Sequence, residues 1–113
     1  MSFLGSEDMI FINPTIIRSL NKSKLRKKIV YFLYDIHPHG TYLSELSRRV
    51  KSDPSNVLGC LKGMGNRYNG SSSLIELGLV NCDGKEGMKI YQMTTYGKTV
   101  VEYLKDYDSA DNW

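Results

Sequence analysis

The sequence has few of the residue types that build metal or disulfide centres. Its 113 residues include two cysteines, two histidines, three prolines and one tryptophan. Cys60 and Cys82 stand apart in apolar surroundings rather than in paired ligand spacing, which argues against a disulfide framework and against a zinc site. His37 and His39 form a His-x-His pair, but no third and fourth ligand follows at a convincing spacing. We therefore expect no metal and no cofactor.

Catalytic motifs and long hydrophobic runs are missing as well. The chain has no glycine-rich phosphate loop and no set of serine, histidine and aspartate that spacing would bring together, so no enzyme is expected. No segment approaches the length needed to span a bilayer. Residues 1–20 lack the basic start and the long apolar run of a signal peptide. These absences predict a cytoplasmic protein with no membrane partner.

Length and patterning predict one domain between two short tails. At 113 residues with 41% hydrophobic content, the chain can bury one modest core, and a second unit would be too small to stabilise itself. Residues 1–9 mix small and acidic residues without a period, which predicts a mobile N-terminal tail. Residues 108–113 are mostly polar and predict a polar C-terminal tail. The domain is expected over residues 10–107.

Acidic residues are scarce in the middle of the chain. Between residues 14 and 105 lie all 15 basic residues and only 7 acidic ones, a net charge of +8, whereas the whole chain carries +3. The other acidic residues lie near the ends: Glu7, Asp8, Asp106, Asp108 and Asp111. A basic body of this kind favours a polyanionic partner, with nucleic acid first and an acidic membrane surface second.

Caps and apolar stripes predict three helices in the first half of the chain. Asn13-Pro14 is a cap-plus-proline start for a short helix, which either covers the core or pairs with a second subunit. Asn21 or Ser23 can cap the next helix, whose apolar residues recur at helical spacing: Leu25, Ile29, Phe32, Leu33 and Ile36. Thr41 is predicted to cap a third helix over residues 42–51.

The second of these helices begins with a cluster of basic side chains. Its first turns carry Lys22, Lys24, Arg26, Lys27 and Lys28. Positive charge is unfavourable at the positive end of the helix dipole, by about 0.3 to 1 kcal/mol for each charge nearest the terminus. A bound phosphate would relieve that conflict. A solvated basic face is the alternative.

The chain is organised around a helix predicted over residues 53–66. Asp53 can cap free amides and Pro54 suits the first helical position. One face is apolar and consists of Val57, Cys60, Leu61 and Met64. The other has little bulk and consists of Ser55, Gly59, Lys62, Gly63 and Asn66. Such a face suits close approach to another surface; a poorly made surface helix is the alternative, because two mid-helix glycines cost about 1 kcal/mol each.

A β-hairpin and a closing helix are predicted after a polar loop. Residues 65–73 are rich in turn formers, and residues 74–78 resume as one helical turn closed by glycine. Period-two alternation around a glycine-containing tip predicts a hairpin over residues 79–93. Thr94 or Thr95 starts the last helix, in which one face is shared by Tyr96, Val100, Tyr103, Leu104 and Tyr107.

This order of elements resembles the winged helix-turn-helix family of transcription regulators. The likeness covers residues 22–107, with Leu77-Gly78-Leu79-Val80 entering the hairpin and Tyr91-Gln92-Met93-Thr94-Thr95-Tyr96-Gly97 leaving it. The chain looks most like small archaeal regulators of this class and, more loosely, like MarR-like and PadR-like repressors. The resemblance implies a mainly α fold with a small β-hairpin, built as a three-helix core with a wing and a C-terminal helix.

The resemblance also implies a function and a set of site residues. The expected function is that of a sequence-specific regulator of double-stranded DNA, with helix 53–66 in the major groove and hairpin 79–93 as the wing. Carried onto this chain, the family pattern points to Ser55, Asn56, Gly59 and Lys62 for the groove, Thr41 and Tyr42 for a phosphate, and Lys85 and Lys89 for the wing.

The chain departs from the family pattern at two places. An insert of about nine residues follows the helix 53–66, and its Arg67 and Tyr68 could add backbone contacts. Leu58 occupies a position that is usually polar; it could touch a thymine methyl or a partner protein, although partial burial is the commoner explanation.

A winged-helix module that binds another protein through its bare Gly59 and Gly63 face is the alternative function. The two functions differ in salt dependence, because counterion release makes DNA affinity fall steeply with salt. Homodimerisation is expected through residues 10–20 and 96–107, because both segments carry more apolar surface than a three-helix core of this size needs.

Overall fold

The computed structural model describes residues 12–63, 73–84 and 87–111, with side chains up to Asp106. These ranges contain five helices and one two-stranded antiparallel sheet, so the predicted mainly α fold with a small hairpin is confirmed. The elements are α1 (Pro14–Asn21), α2 (Lys24–Ile36), α3 (Leu43–Val50), α4 (Pro54–Lys62), β1 (Val80–Asp83), β2 (Ile90–Met93) and α5 (Thr95–Asp111). None of the helices in the described ranges is long and apolar enough to cross a bilayer.

The first two helices begin where their caps predict. The Asn13 side chain accepts a hydrogen bond from the Thr15 amide at 2.8 Å, and Pro14 follows at the first helical position. Of the two possible caps for α2, Ser23 is the one used, because its hydroxyl accepts from the Arg26 amide at 3.1 Å. Both starts depend on contacts within three residues, which explains why local sequence was sufficient to predict them.

The start of α3 differs from its prediction. Tyr42, not Thr41, occupies the N-cap position, and its side chain makes no capping hydrogen bond. Thr41 instead forms an isolated β-bridge with Tyr91. The hairpin therefore pairs with the Thr41 backbone two residues before α3 starts, and the prediction of a Thr41 cap was wrong.

The helix α4 begins as predicted but ends earlier. Asp53 lies at the N-cap with extended backbone, although its side chain makes no capping bond. The helix stops at Lys62 rather than residue 66, and the next residue, Gly63, adopts φ +88°. The carbonyls of Cys60 and Leu61, which would continue the helix, accept instead from the amides of Leu74 at 2.9 Å and Ile75 at 3.0 Å.

A tight turn joins α3 to α4 without a glycine. Lys51 adopts the left-handed conformation, with φ 58° and ψ 52°. Its amide donates to the Arg48 carbonyl at 3.3 Å, and the Ser52 amide donates to the Ser47 carbonyl at 3.1 Å. These two bonds close the end of α3 and turn the chain into Asp53, so α3 and α4 form a pair of short helices joined by a tight turn.

The five helices and the hairpin share one hydrophobic core. Its fully buried larger side chains come from every part of the described chain and include Leu20, Ile29, Leu33, Leu46, Leu61, Leu74, Leu79 and Leu104. α1 covers this core with Ile16 and Leu20. In α2, Val30 is also fully buried, whereas the predicted stripe left it out.

The last helix differs from its prediction in which side chains it buries. Val100, Val101 and Leu104 are buried, but Tyr103 is 48% exposed and Tyr96 is only partly buried. The buried stripe runs through positions 100, 101 and 104, which places Tyr103 at its edge. The helix continues to Asp111, into the segment predicted as a polar tail. The predicted N-terminal tail lies outside the described residues.

The hairpin pairs β1 with β2 in the register Val80↔Met93 to Asp83↔Ile90. β2 alternates as predicted, with Tyr91 and Met93 buried, whereas β1 buries only Val80. Before the hairpin, residues 74–78 form a hydrogen-bonded turn rather than a helix. This short sheet therefore has one face on the core and one face towards solvent.

Candidate functional site

The exposed surface of α4 is the centre of the candidate site. Val57 and Leu61 are fully buried, which fixes the orientation of the helix on the core. Ser55 and Asn56 are exposed in its first turn, and Lys62 is exposed at its end. The prediction of one apolar and one polar face thus holds for the described part of α4. Cys60 is only half-buried, and Met64 and Asn66 lie outside the described residues.

One groove of about 500 Å³ lies between α4, α3 and the hairpin, and we call it the hairpin groove. It is lined by Tyr42, Leu43, Ser44, Pro54, Leu58, Lys62, Gly87, Lys89 and Tyr91. The groove brings together three residues that the sequence assigned to the site: Tyr42, Lys62 and Lys89. Leu58 is partly buried and packs against the core, in line with the commoner explanation for its position.

A second groove, also of about 500 Å³, lies on the other side of α4, and we call it the α2 groove. It is lined by Lys22, Ser23, Arg26, Ser55, Asn56, Gly59 and Cys60. Three of the predicted DNA-binding residues, Ser55, Asn56 and Gly59, therefore share a groove with the start of α2. The predicted DNA-binding residues did not include Lys22 and Arg26, although the basic run that contains them was considered as a place where a bound phosphate would be favourable.

Arg26 is held in place at the edge of the α2 groove. Its Nη1 atom donates to the Ser19 hydroxyl at 2.5 Å, which ties α2 to α1. Burial raises the pKa of the neighbouring Cys60 thiol, and the nearby Arg26 guanidinium offsets only part of that shift. The thiol therefore stays protonated near neutral pH and contributes no charge to the groove.

The basic side chains of α3 are compensated within the helix. Glu45 accepts hydrogen bonds from Arg49 at 2.9 Å and from Arg48, and these bonds lower the pKa of the Glu45 carboxyl. The Arg49 guanidinium also lies 5.4 Å from the centre of the Phe32 ring. By contrast, within the described part of the chain Lys22, Lys62 and Lys89 have no acidic partner. Both grooves therefore contain lysine charge that no acidic side chain among the described residues neutralises.

The remaining predicted site residues are placed as follows. Thr41 is partly buried and its backbone pairs with Tyr91. Lys89 is exposed just before β2. Arg67, Tyr68 and Lys85 lie outside the described residues. Among residues 12–63, 73–84 and 87–111, no group of three or more histidine, cysteine, aspartate or glutamate side chains could hold a metal ion.

Fold and surface together define a small, mainly helical protein with a hairpin between its fourth and fifth helices and an exposed helix between two cationic grooves. The chain belongs to the EarA-like family, which it matches over residues 16–104. It is also 71% identical over 101 residues to an uncharacterized protein of Methanocaldococcus jannaschii, an alignment that covers 89% of this chain and 91% of that protein. The family match spans all of α2, α3, α4 and the hairpin, and hence both grooves.

Proposed function

We propose that this protein is a sequence-specific regulator that binds double-stranded DNA as a winged helix-turn-helix protein. The observation that carries the proposal is the position of α4, which exposes Ser55 and Asn56 between two grooves that contain lysines without acidic partners. An exposed helix with short polar side chains fits the major groove, which admits one α-helix. Cationic side chains on both sides of the helix match the two phosphate backbones that border that groove.

The arrangement of elements supports the winged-helix assignment. α2, α3 and α4 pack on one core, and α3 and α4 are joined by the tight turn at Lys51. The hairpin follows α4 in the chain and is connected to the start of α3 through the Thr41 and Tyr91 backbones. In this assignment α4 is the recognition helix, and β1 and β2 form the wing.

Asn56 and four side chains that line the hairpin groove each have a chemical role in the proposed complex. The Asn56 amide can donate to and accept from adenine at the same time, which makes it the base-reading residue. Lys62 and Lys89 border the hairpin groove and suit phosphates, and the Tyr42 hydroxyl can donate to a phosphate oxygen. Leu58 can contact a thymine methyl at the floor of that groove.

We also propose that the protein acts as a homodimer through α1 and α5. A groove of about 350 Å³ between these helices is lined by Ile12, Pro14, Ile17, Arg18, Asn21 and Tyr103. Ile12 and Ile17 are only partly buried, and Tyr103 is 48% exposed, so a second copy would remove this apolar surface from water. The two recognition helices of the dimer would then lie about 34 Å apart and read a roughly palindromic site.

A protein-interaction module without DNA readout is the second candidate. Apolar exposure near the hairpin favours it, since Tyr42 is 46% exposed and Met88 is 59% exposed. Such side chains are typical of protein contacts as well as of nucleic-acid contacts.

Selection of bound fragments from a pool of random duplex DNA tests the proposed function directly. We expect enrichment of one roughly palindromic sequence, and a logarithm of affinity that falls linearly with the logarithm of salt concentration. Single-stranded and double-stranded pools of the same composition should be compared. No duplex binding at low salt would reject DNA readout and leave the protein-interaction module.

A further inference from the structure

The α2 groove joins two parts of the chain that are distant in sequence. Lys22 and Ser23 come from the turn between α1 and α2, and Arg26 comes from the first turn of α2. Asn56 comes from the first turn of α4. The wall contributed by α2 is thus cationic, and the wall contributed by α4 carries the residue proposed to read a base. None of the described residues that line this groove is acidic.

The two cationic side chains differ in how they are held. Lys22 is exposed at the end of α1, so its ammonium group can follow a ligand along the groove. Arg26 is partly buried and its guanidinium is oriented by the Ser19 hydroxyl. A fixed guanidinium with a mobile ammonium beside it suits a chain of phosphates better than a single compact anion, because successive phosphates are separated along a strand.

We infer that the α2 groove holds the sugar-phosphate backbone of one DNA strand, with Lys22 and Arg26 on phosphates beside the base pair that Asn56 contacts. This inference rests on the proposed function and extends the interface from the recognition helix to α2. In this arrangement α4 lies between the two strands of the DNA duplex. One strand is bound in the α2 groove and the other in the hairpin groove. The helices that form the two walls of the α2 groove bury side chains in the same hydrophobic core, so α2 sets the register of Asn56 on the duplex.

Lys22→Gln is the main test, with Lys28→Gln as the matched control. Both are exposed lysines, but Lys28 lies about 200° around the axis of α2 from Arg26 and so faces away from the α2 groove. Affinity for the selected site and for a random-sequence duplex is measured over a range of salt concentrations. We expect Lys22→Gln to lower the slope of the salt dependence by about one and to weaken both duplexes about tenfold at 0.1 M salt, whereas Lys28→Gln keeps wild-type behaviour.

A second variant, Arg26→Lys, retains the charge but loses the planar fork that Ser19 orients. We expect it to keep the salt slope and to weaken the selected site more than the random duplex, because the register of Asn56 is loosened. Circular dichroism melting confirms that each variant is folded. An equal loss of affinity for both duplexes in Arg26→Lys would contradict the role of Arg26 in setting the register of Asn56.

The outcomes separate this inference from the proposed function. If the wild type binds DNA and responds to Asn56→Ala, but Lys22→Gln behaves like Lys28→Gln, the inference is overturned and the function stands. Failure of the wild type to bind any duplex overturns both. Inorganic phosphate should compete no better than chloride at equal ionic strength; competition that Lys22→Gln abolishes, with duplex binding unchanged, would assign the groove to a free anion instead.

Discussion

Thr41 and Tyr91 exchange two backbone hydrogen bonds. The Thr41 amide donates to the Tyr91 carbonyl at 2.9 Å, and the Tyr91 amide donates to the Thr41 carbonyl at 2.8 Å. This pair attaches β2 to the chain two residues before α3. The position of the hairpin beside α3 and α4, and therefore the shape of the hairpin groove, depends on a contact between residues 50 positions apart.

Gly40→Ala should loosen this attachment. A Cβ atom at Gly40 would lie 2.8 Å from the Tyr91 carbonyl oxygen and would overlap the Ile90 side chain, so the hairpin must move away. We expect a loss of about 1 to 3 kcal/mol in the free energy of unfolding, measured by urea denaturation. His39→Ala, at the exposed neighbouring position, is the control and should be close to neutral. Equal stability of the two variants would contradict the close packing described for Gly40.

Asn56→Ala should change the base preference of the protein. The loss of the proposed bidentate contact to adenine is expected to cost about 1 to 3 kcal/mol on the preferred site and to relax preference at one base pair. Binding is measured on the selected duplex and on duplexes with single substitutions. Lys28→Gln, whose side chain is exposed and faces away from the α2 groove, is the control and should keep wild-type affinity and base preference. Unchanged affinity and unchanged preference for Asn56→Ala would argue against α4 as the recognition helix.

Lys89→Gln should weaken all duplexes alike. The exposed Lys89 ammonium borders the hairpin groove, where it is proposed to follow a phosphate. We expect the slope of the salt dependence to fall by about one without a change in base preference. Lys105→Gln is the control, because the Lys105 ammonium lies over the ring of Tyr34, 4.6 Å from its centre, on the α2 and α5 side of the molecule. A change of base preference with Lys89→Gln would contradict the backbone role.

Stability should depend on pH through a small network on α2 and α5. The Glu102 carboxylate accepts from Lys98 at 3.0 Å and from the Tyr34 hydroxyl at 3.1 Å. These bonds hold the pKa of Glu102 below its ordinary value of 4.5. Because the folded-state pKa is the lower one, the stabilisation is complete above the unfolded-state pKa and is lost as pH falls through the folded-state pKa.

At alkaline pH the same network is weakened by the deprotonation of Tyr34 and Lys98. The bond to Glu102 raises the pKa of Tyr34 above its ordinary value of 10.0 and the pKa of Lys98 above 10.5. Their share of the stabilisation is therefore lost as pH rises through the raised values. Urea unfolding of wild type and Glu102→Gln should differ most near neutral pH, by a small amount because the groups are exposed, and should converge in acid. A difference in the free energy of unfolding that stays constant into acid would contradict the assignment of this stabilisation to the Glu102 carboxylate.

Tyr103→Glu should convert a dimer into a monomer. Light scattering of the wild type at micromolar concentration is expected to give twice the chain mass of 12.9 kDa, with or without DNA. A carboxylate at position 103 would have to be desolvated between the two copies, which opposes association. Asp106→Asn, one turn further along α5, is the control and should remain dimeric. A wild-type monomer mass under both conditions would remove the dimer proposal.

Local sequence was sufficient where the determining contacts span only a few residues. Asn13 and Ser23 cap the helices that follow them, and Gly78 with φ +82° closes the turn before the hairpin. The period-two pattern of β2 and the apolar face of α4 at Val57 and Leu61 also follow from the chain alone. In each case the side chains that decide the conformation lie within about one helical turn or one strand of one another.

The end of α4 and the composition of the two grooves were decided by tertiary contacts. α4 stops at Lys62 because Leu74 and Ile75 take the carbonyls that a longer helix would use. Thr41 was predicted to cap a helix, but Tyr91 engages its backbone instead.

The packing of elements also determined which charges lie beside the exposed residues of α4. Lys22 and Arg26 lie next to Asn56 only because α2 and α4 bury their apolar faces in the same core. Sequence alone therefore determined where α1, α2 and α4 begin and which faces of α4 and β2 are apolar, since those depend on local hydrogen bonds and on periodicity. Which charged side chains meet across the grooves depends on how those faces pack, and only the tertiary structure decided it.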